Sequence, residues 1–273
     1  SGELNGLTRV RCFAVDDSHM FVRQDQLKEE LFNVIELIQY VFKVMGFADF
    51  TTQLSFRDDN AEKYGGDIAL WERAQAEIKE AADEMKLVYT IEEGEAAFYG
   101  PKIDFMVKDA LGRKWQLGTV QIDYVMPERF DLEYVGSDGQ KHRPVVIHRA
   151  PFGSLERFIG VLIEHFAGEF PLWLAPTQVV VIPVSKNFLD YGNKVADALK
   201  KADIRYELDD RNEKIGYKIR DWETQKVSYM LIVGEKEKES GTVSVRKHKE
   251  GDKGSLSLSE FIDKIAAEIK NKV

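Results

Sequence analysis

The side chains able to do chemistry in these 273 residues fall in several short clusters, not in one motif. The first is Arg9-Val10-Arg11-Cys12-Phe13-Ala14-Val15-Asp16-Asp17-Ser18-His19, where bulky and polar residues alternate with the period of two of an extended strand. An unbroken strand sends Arg9, Arg11, Phe13, Val15, Asp17 and His19 to one face, with Cys12, Ala14, Asp16 and Ser18 behind. Arginine forks grip phosphate bidentately and an aromatic face stacks on a purine. Arg9, Arg11 and Phe13, with the distant Arg157 after Gly153-Ser154, could therefore hold ATP against a sheet, or the arginines could simply pair with carboxylates. His19 and His148 could be two ligands of one zinc or two unrelated imidazoles. Cys12 faces away from His19 on this parity and does not complete such a site.

A second cluster is Trp115-Gln116-Leu117-Gly118-Thr119-Val120-Gln121-Ile122-Asp123. Gln116 and Gln121 are five apart and point to opposite faces of a regular strand, so both can serve one site only if Gly118 marks a bulge. Tyr99-Gly100-Pro101-Lys102 reads as a turn carrying a phenol and an ammonium. In the last third, Asn212 lies in the loop 210–216, Glu237 in a turn over 235–240, and Arg246 at the end of a strand; these could read unpaired bases or be solvated charges. Neither a P-loop nor a Gly-x-Gly-x-x-Gly fingerprint occurs, and Gly153-Ser154 lacks the elbow of a serine hydrolase.

The elements that must position these residues follow from periodicity. Helices are expected at 25–45 and 68–86, strands at 98–107, 114–125, 133–136 and 145–148 joined as an antiparallel meander, and a helix at 155–166. Pro171-Leu172-Trp173-Leu174-Ala175-Pro176 has the proline spacing of a linker, which places a domain boundary between 1–173 and 174–273. Beyond it, strands at 178–184, 204–208, 229–234 and 242–247 alternate with helices at 188–202, 213–225 and 258–272, the pattern of a mainly parallel sheet in a compact α/β unit.

Composition bounds the function. At 44% hydrophobic and 31% charged with one cysteine, the chain is that of a globular protein without an intrachain disulfide. No apolar run approaches a membrane span, so no membrane partner and a cytoplasmic location are expected. The net charge of −9 argues against binding nucleic acid by bulk electrostatics. Residues 176–273 carry 19 basic and 17 acidic side chains against 19 and 30 in the rest, so only the second part is near neutrality. A first residue of Ser and not Met suggests a piece of something longer.

Taken in order, SGELNGLTRVRCF, AVDDSH, AFYGPKIDF, WQLGTVQIDY, IHRAPFGSLERF and DDRNEKIGYKIRD resemble the later part of a bacterial-type threonyl-tRNA synthetase, a class II aminoacyl-tRNA synthetase, over essentially the whole chain. The resemblance implies an α+β antiparallel class II catalytic sheet, incomplete on its N-terminal side, followed by an α/β anticodon-binding domain. It implies that Arg9 and Arg157 contact ATP phosphates, that Phe13 stacks on adenine, and that Gly153, Ser154 and Gln121 adjoin the nucleotide. It also implies that His19 and His148 bind Zn2+, that Asp17 accepts a hydrogen bond from the threonine hydroxyl, and that Tyr99 and Gln116 line the amino-acid pocket. Asn212, Glu237 and Arg246 match anticodon-contacting positions.

The implied activity is ATP-dependent activation of threonine, with Mg2+, and transfer to tRNA(Thr) by a homodimeric parent. The cysteine ligand, the dimer-forming motif and an α-phosphate arginine are expected before Ser1, so the chain alone is expected to be inactive and to hold zinc weakly. Val15 stands where relatives carry a polar residue, often Gln. Two alternatives are a non-catalytic tRNA-anticodon-binding module and a sister class II enzyme such as the prolyl synthetase; the two histidines speak against the latter.

Overall fold

The computed structural model describes residues 2–272. The chain divides into two compact units, Ser1–His165 and Phe166–Val273, and the expected boundary at 173/174 falls inside the second. Among the described residues, no helix is long and apolar enough to cross a membrane.

In the first unit, β1 (Ser18–Val22), α1 (Leu27–Val44), β2 (Phe50–Phe56), α2 (Ile68–Glu84), β3 (Tyr89–Glu93), β4 (Lys102–Lys108), β5 (Lys114–Asp123), α3 (Val125–Arg129), β6 (Tyr134–Val135), β7 (Lys141–His142), β8 (Val145–Ala150) and α4 (Leu155–His165) follow one another. Six strands form a sheet of order β1-β8-β5-β4-β2-β3, and β6 and β7 make a separate hairpin. Every neighbouring pair is antiparallel except β2 with β3, which run parallel because α2 makes the crossover between them. The expected meander is thus a mixed sheet with two further strands.

Alternation sorts the chemistry. Leu54, Ile103, Phe105, Val120, Ile122, Val145 and Ile147 are buried on one face, where α1 supplies Leu27, Leu31, Ile35, Ile38 and Phe42 at helical spacing. Phe42 meets the Phe47, Phe50 and Phe105 rings edge-on at 5.4–6.0 Å, and full burial of each such side chain contributes about 1.5–3 kcal/mol. The opposite parity carries Ser55, Lys102, Gln121, His148 and His19, paired in register across five strands.

The strand expected from Arg9 is shorter than its pattern. β1 begins at Ser18, and residues 9–17 form only the isolated bridges Asn5↔Arg9 and Val15↔Ser154. Ser18 pairs with Arg149, so continuing the ladder would set Asp16 against Pro151, which has no N–H to give and where β8 has already ended.

In the second unit, β9 (Val179–Pro183), α5 (Leu189–Lys201), β10 (Tyr206–Leu208), α6 (Ile215–Thr224), β11 (Tyr229–Val233), α7 (Glu235–Ser240), β12 (Thr242–Lys247), β13 (Gly251–Ser257) and α8 (Leu258–Asn271) build a five-stranded sheet of order β10-β9-β11-β12-β13. β10, β9 and β11 are parallel, while β12 and β13 are antiparallel additions. The expected turn at 235–240 is the helix α7. The wholly buried β9 places Val179 and Val181 in a core with Val195, Leu199, Phe261 and Ile265, and Val180 and Ile182 in a second core with Trp222 and Met230.

Asp209, just past β10, is buried with a cage of donors: Arg211 Nε at 3.0 Å and Nη2 at 2.7 Å, and Trp222 Nε1 at 2.8 Å. Lys218 Nζ stands 3.6 Å away. Burial pushes the Asp209 carboxyl up, but the hydrogen bonds from Arg211 and Trp222 and the charge of Lys218 outweigh it and hold it at about 2. The folded value lies below the unfolded one, so the unfolded chain binds the proton first as pH falls. The stability this carboxylate contributes, on the order of 2 kcal/mol, is complete above its unfolded value near 3.8 and lost as pH falls through about 2. Urea denaturation should show a gap between the wild-type chain and Asp209→Asn that is open at neutral pH and closes as the buffer approaches pH 2.

Candidate functional site

Two stretches are stitched together at the start of α4. The Asp16 carboxylate accepts from the main-chain N–H of Phe152 and of Gly153 at 3.0–3.2 Å. Leu155 N–H donates to Ala14 O at 2.9 Å, and the Glu156 carboxylate accepts from Ala14 N–H. Desolvation raises the Asp16 pKa, and the hydrogen bonds from Phe152 and Gly153 oppose that rise. Asp16 therefore points back into the loop, which leaves Asp17 and His19 for the open face, as the alternation requires.

Arg157, on the first turn of α4, reaches across this junction. Its Nε donates to Thr8 O at 3.0 Å and its Nη1 to Gln116 O at 3.1 Å, and the guanidinium lies 5.5 Å from the Trp115 ring centre. Among the described residues no carboxylate pairs with it. Burial, with the Arg9 charge adding to it, lowers the Arg157 pKa from its ordinary value. Two guanidiniums near each other, one without a counter-ion, make a place for a polyanion. Arg9 is half exposed, with Glu3 3.9 Å away, and Phe13 presents an exposed ring. Val15 is exposed and forms a backbone bridge to Ser154.

The sheet face holds the second group. His19 and His148 are direct cross-strand partners, with ring centres 4.4 Å apart and planes at 70°. Asp17 Oδ2 lies 3.9 Å from His19 Nε2, and one donor atom from each of Asp17, His19 and His148 falls within 4.8 Å of the others. Two imidazoles and a carboxylate are donors suited to zinc, so the residues present fit that metal. Cys12 is exposed and outside this group.

Tyr99 stacks on His148 with ring centres 4.8 Å apart and its hydroxyl donates to Gln121 Oε1. Burial first, then the charges of Asp123 and Asp17, push the Tyr99 phenol up to about 12, so it remains a neutral donor at neutral pH.

Both glutamines serve this face. The β4–β5 ladder pairs Asp104 with Thr119 but Met106 with Gln116, so β5 carries one extra residue between Gln116 and Thr119. Gly118 stands inside that bulge, where a β-carbon would meet Ile38 Cγ2 and Pro151 O at 3.0 Å. Asp104 is the hub the side chains share. It accepts from Gln116 Nε2 at 2.6 Å, Thr119 Oγ1 at 2.9 Å and Ser55 Oγ at 3.0 Å, with Lys102 Nζ at 2.6 Å. Asp104 was not among the residues expected here, and Lys102 and Asp123, visible in the sequence clusters, were given no role. The available signal was a carboxylate set between the buried Ile103 and Phe105, since a charge on a buried strand needs partners.

The three residues expected to read an anticodon are joined by no hydrogen bond or ion pair among the described residues. Asn212 lines a cleft of about 310 Å³ beyond the carboxyl end of β9. Glu237 lies in the first turn of α7, where its carboxylate accepts from Gly234 N–H at 2.9 Å. Arg246 on β12 keeps a buried Nε without a hydrogen-bond partner.

Residues 1–166 match the tRNA synthetase class II core domain (G, H, P, S and T). The chain belongs to the class II tRNA synthetase core family. Residues 178–268 match the anticodon binding domain. The chain is 62% identical over all 273 residues to a threonine–tRNA ligase of Chlorobium phaeovibrioides, of which it covers 41%. It superposes on the RNA binding domain of threonyl-tRNA synthetase from Cryptosporidium parvum Iowa II with a TM-score of 0.91 and 35% identity, covering 98% of this chain and 66% of that one. A prolyl-tRNA synthetase of Cryptosporidium parvum, complexed with L-proline and AMP, shares only the fold, at TM-score 0.63 and 19% identity over 98% of this chain and 52% of its own. This class II chain is thus a homologue of part of the threonine–tRNA ligases and spans about two-fifths of their length.

Proposed function

We propose that this chain is the catalytic-core and anticodon-binding portion of an enzyme that activates threonine with ATP and Mg2+ and transfers it to tRNA(Thr) in the cytoplasm, as a homodimer. The observation that carries this reading is the convergence of Asp17, His19 and His148 on one sheet face beside Tyr99 and Gln121, in a unit that also holds Arg157, an arginine with no carboxylate partner among the described residues. Arg9 and Arg157 hold the β- and γ-phosphate charge while the amino-acid carboxylate attacks in line, catalysis resting on position and charge with little covalent work for the protein. Phe13 takes the adenine, and Gly153, Ser154 and Gln121 flank the adenylate. Gln116, Tyr99 and Asp17 orient the amino acid, the Asp17 carboxylate accepting from its hydroxyl.

His19 and His148 would hold a zinc ion, which when bound takes the amino and hydroxyl groups of threonine as ligands and so disfavours valine. Lys102 and Asp104 keep Gln116 in place. Asn212, Glu237 and Arg246 contact the anticodon, as the match of residues 178–268 to the anticodon binding domain supports.

The test is ATP–pyrophosphate exchange with the full-length protein that carries these residues. Exchange with threonine and none with valine is expected, and exchange with proline in place of threonine would end the assignment.

A further inference from the structure

We propose that Asp123 is a positioning residue which holds His148 in one tautomer and thereby leaves Nδ1 as the only ring nitrogen able to take a metal. The inference deepens the zinc reading above and rests on it for the metal, though not for the tautomer.

Asp123 is fully buried at the end of β5, two residues beyond Gln121 and so on the same face as His148. Its two oxygens are divided between two tasks. Oδ1 accepts from the main-chain N–H groups of Val125 and Met126, each at 2.8 Å. Oδ2 lies 2.9 Å from His148 Nε2 and has no other hydrogen-bond partner among the described residues. Because a carboxylate only accepts, the hydrogen in that contact belongs to Nε2, and the lone pair of the neutral ring is then on Nδ1. The ring cannot easily turn to exchange the two nitrogens, since Tyr99 stacks on one face at 4.8 Å and His19 packs against it at 4.4 Å. Ligating histidines commonly give their second N–H to a carboxylate in this way, and loss of that partner typically weakens metal binding 10–100-fold.

Asparagine at this position makes the argument testable. In Asp123→Asn the side-chain carbonyl can keep the two main-chain N–H groups while the amide nitrogen donates to Nε2, which moves the ring hydrogen to Nδ1 and blocks it as a ligand. The experiment is ¹⁵N NMR of histidine side chains in this chain without metal, with His19→Gln and His148→Gln for assignment, together with titration of the full-length protein and its Asp123→Asn variant with zinc chloride. The metal-free wild type should show His148 with a protonated Nε2 and a bare Nδ1. Asp123→Asn should reverse the two signals and bind zinc about 10–100-fold more weakly. A wild-type His148 that is protonated on Nδ1, or a variant with unchanged tautomer and unchanged zinc affinity, overturns the assignment to Asp123. If the full-length wild type binds no zinc, the zinc reading fails instead, and the metal-free spectra still decide the role of Asp123.

Discussion

Arg157→Ala in the full-length protein should lower the turnover of threonine-dependent ATP–pyrophosphate exchange by about 10³-fold, the scale set by removing a preorganised donor from a developing phosphate charge. The large effect is expected because the guanidinium is held in place before any ligand arrives. Thr8 O and Gln116 O fix two of its nitrogens and Trp115 lies under its plane. Among the described residues no carboxylate competes for the remaining donors, and Arg9 adds a second positive charge. Arg157→Lys keeps the charge but cannot span both carbonyls and still offer a fork, so it should recover little of the loss. Exchange rates read at saturating ATP and threonine, alongside far-UV circular dichroism of each variant, separate lost chemistry from lost structure. Near-normal turnover in a folded alanine variant would remove Arg157 from the catalytic role.

Gly153→Ala should destabilise the first unit by about 4 kcal/mol or more, among the largest effects open to a single methyl group. Two independent causes add at this residue. Its φ is +66°, a conformation that costs an L-residue about 1–2 kcal/mol. A β-carbon there would also lie 2.0 Å from Leu117 O, a backbone atom of the bulged strand that cannot move aside without unpairing β5. The strain would pass to Asp16, whose carboxylate accepts the Gly153 N–H, and through it to Asp17 and His19. Urea unfolding of this chain, followed by tryptophan fluorescence, should show the first unit melting well before the second. A midpoint within experimental error of the wild type would contradict the close approach itself.

Much of the second unit is legible because its strands are continuous apolar runs between amphipathic helices, as in Val179–Pro183 and Tyr229–Val233. The exceptions are instructive. β13 reads Gly-Asp-Lys-Gly-Ser-Leu-Ser and buries almost nothing, since it is an edge strand held by its ladder to β12. β3 is likewise an exposed edge, placed by its pairing to β2. β2 does carry a signal, with the buried Thr52 and Leu54 two apart, but its polar threonines and glutamine mute it. At the site, Gly118 between two glutamines left a bulge open as the condition for both to share a face, whereas the run from Arg9 to His19 overstated a strand that ends where its neighbour turns away.

The sequence by itself determined which side chains carry the chemistry available to a site, the two-part organisation, and the parity that sets Asp17 and His19 together, because side-chain type and a period of two are local properties of the chain. Only the tertiary structure decided that His148 lies opposite His19, that Asp123 holds one nitrogen of its ring, and that Asp104 gathers Gln116, Thr119 and Lys102. Those are matters of strand order and register, and the pairing of β1 with β8 across more than a hundred residues is selected by the burial of a whole sheet face, which no short stretch encodes.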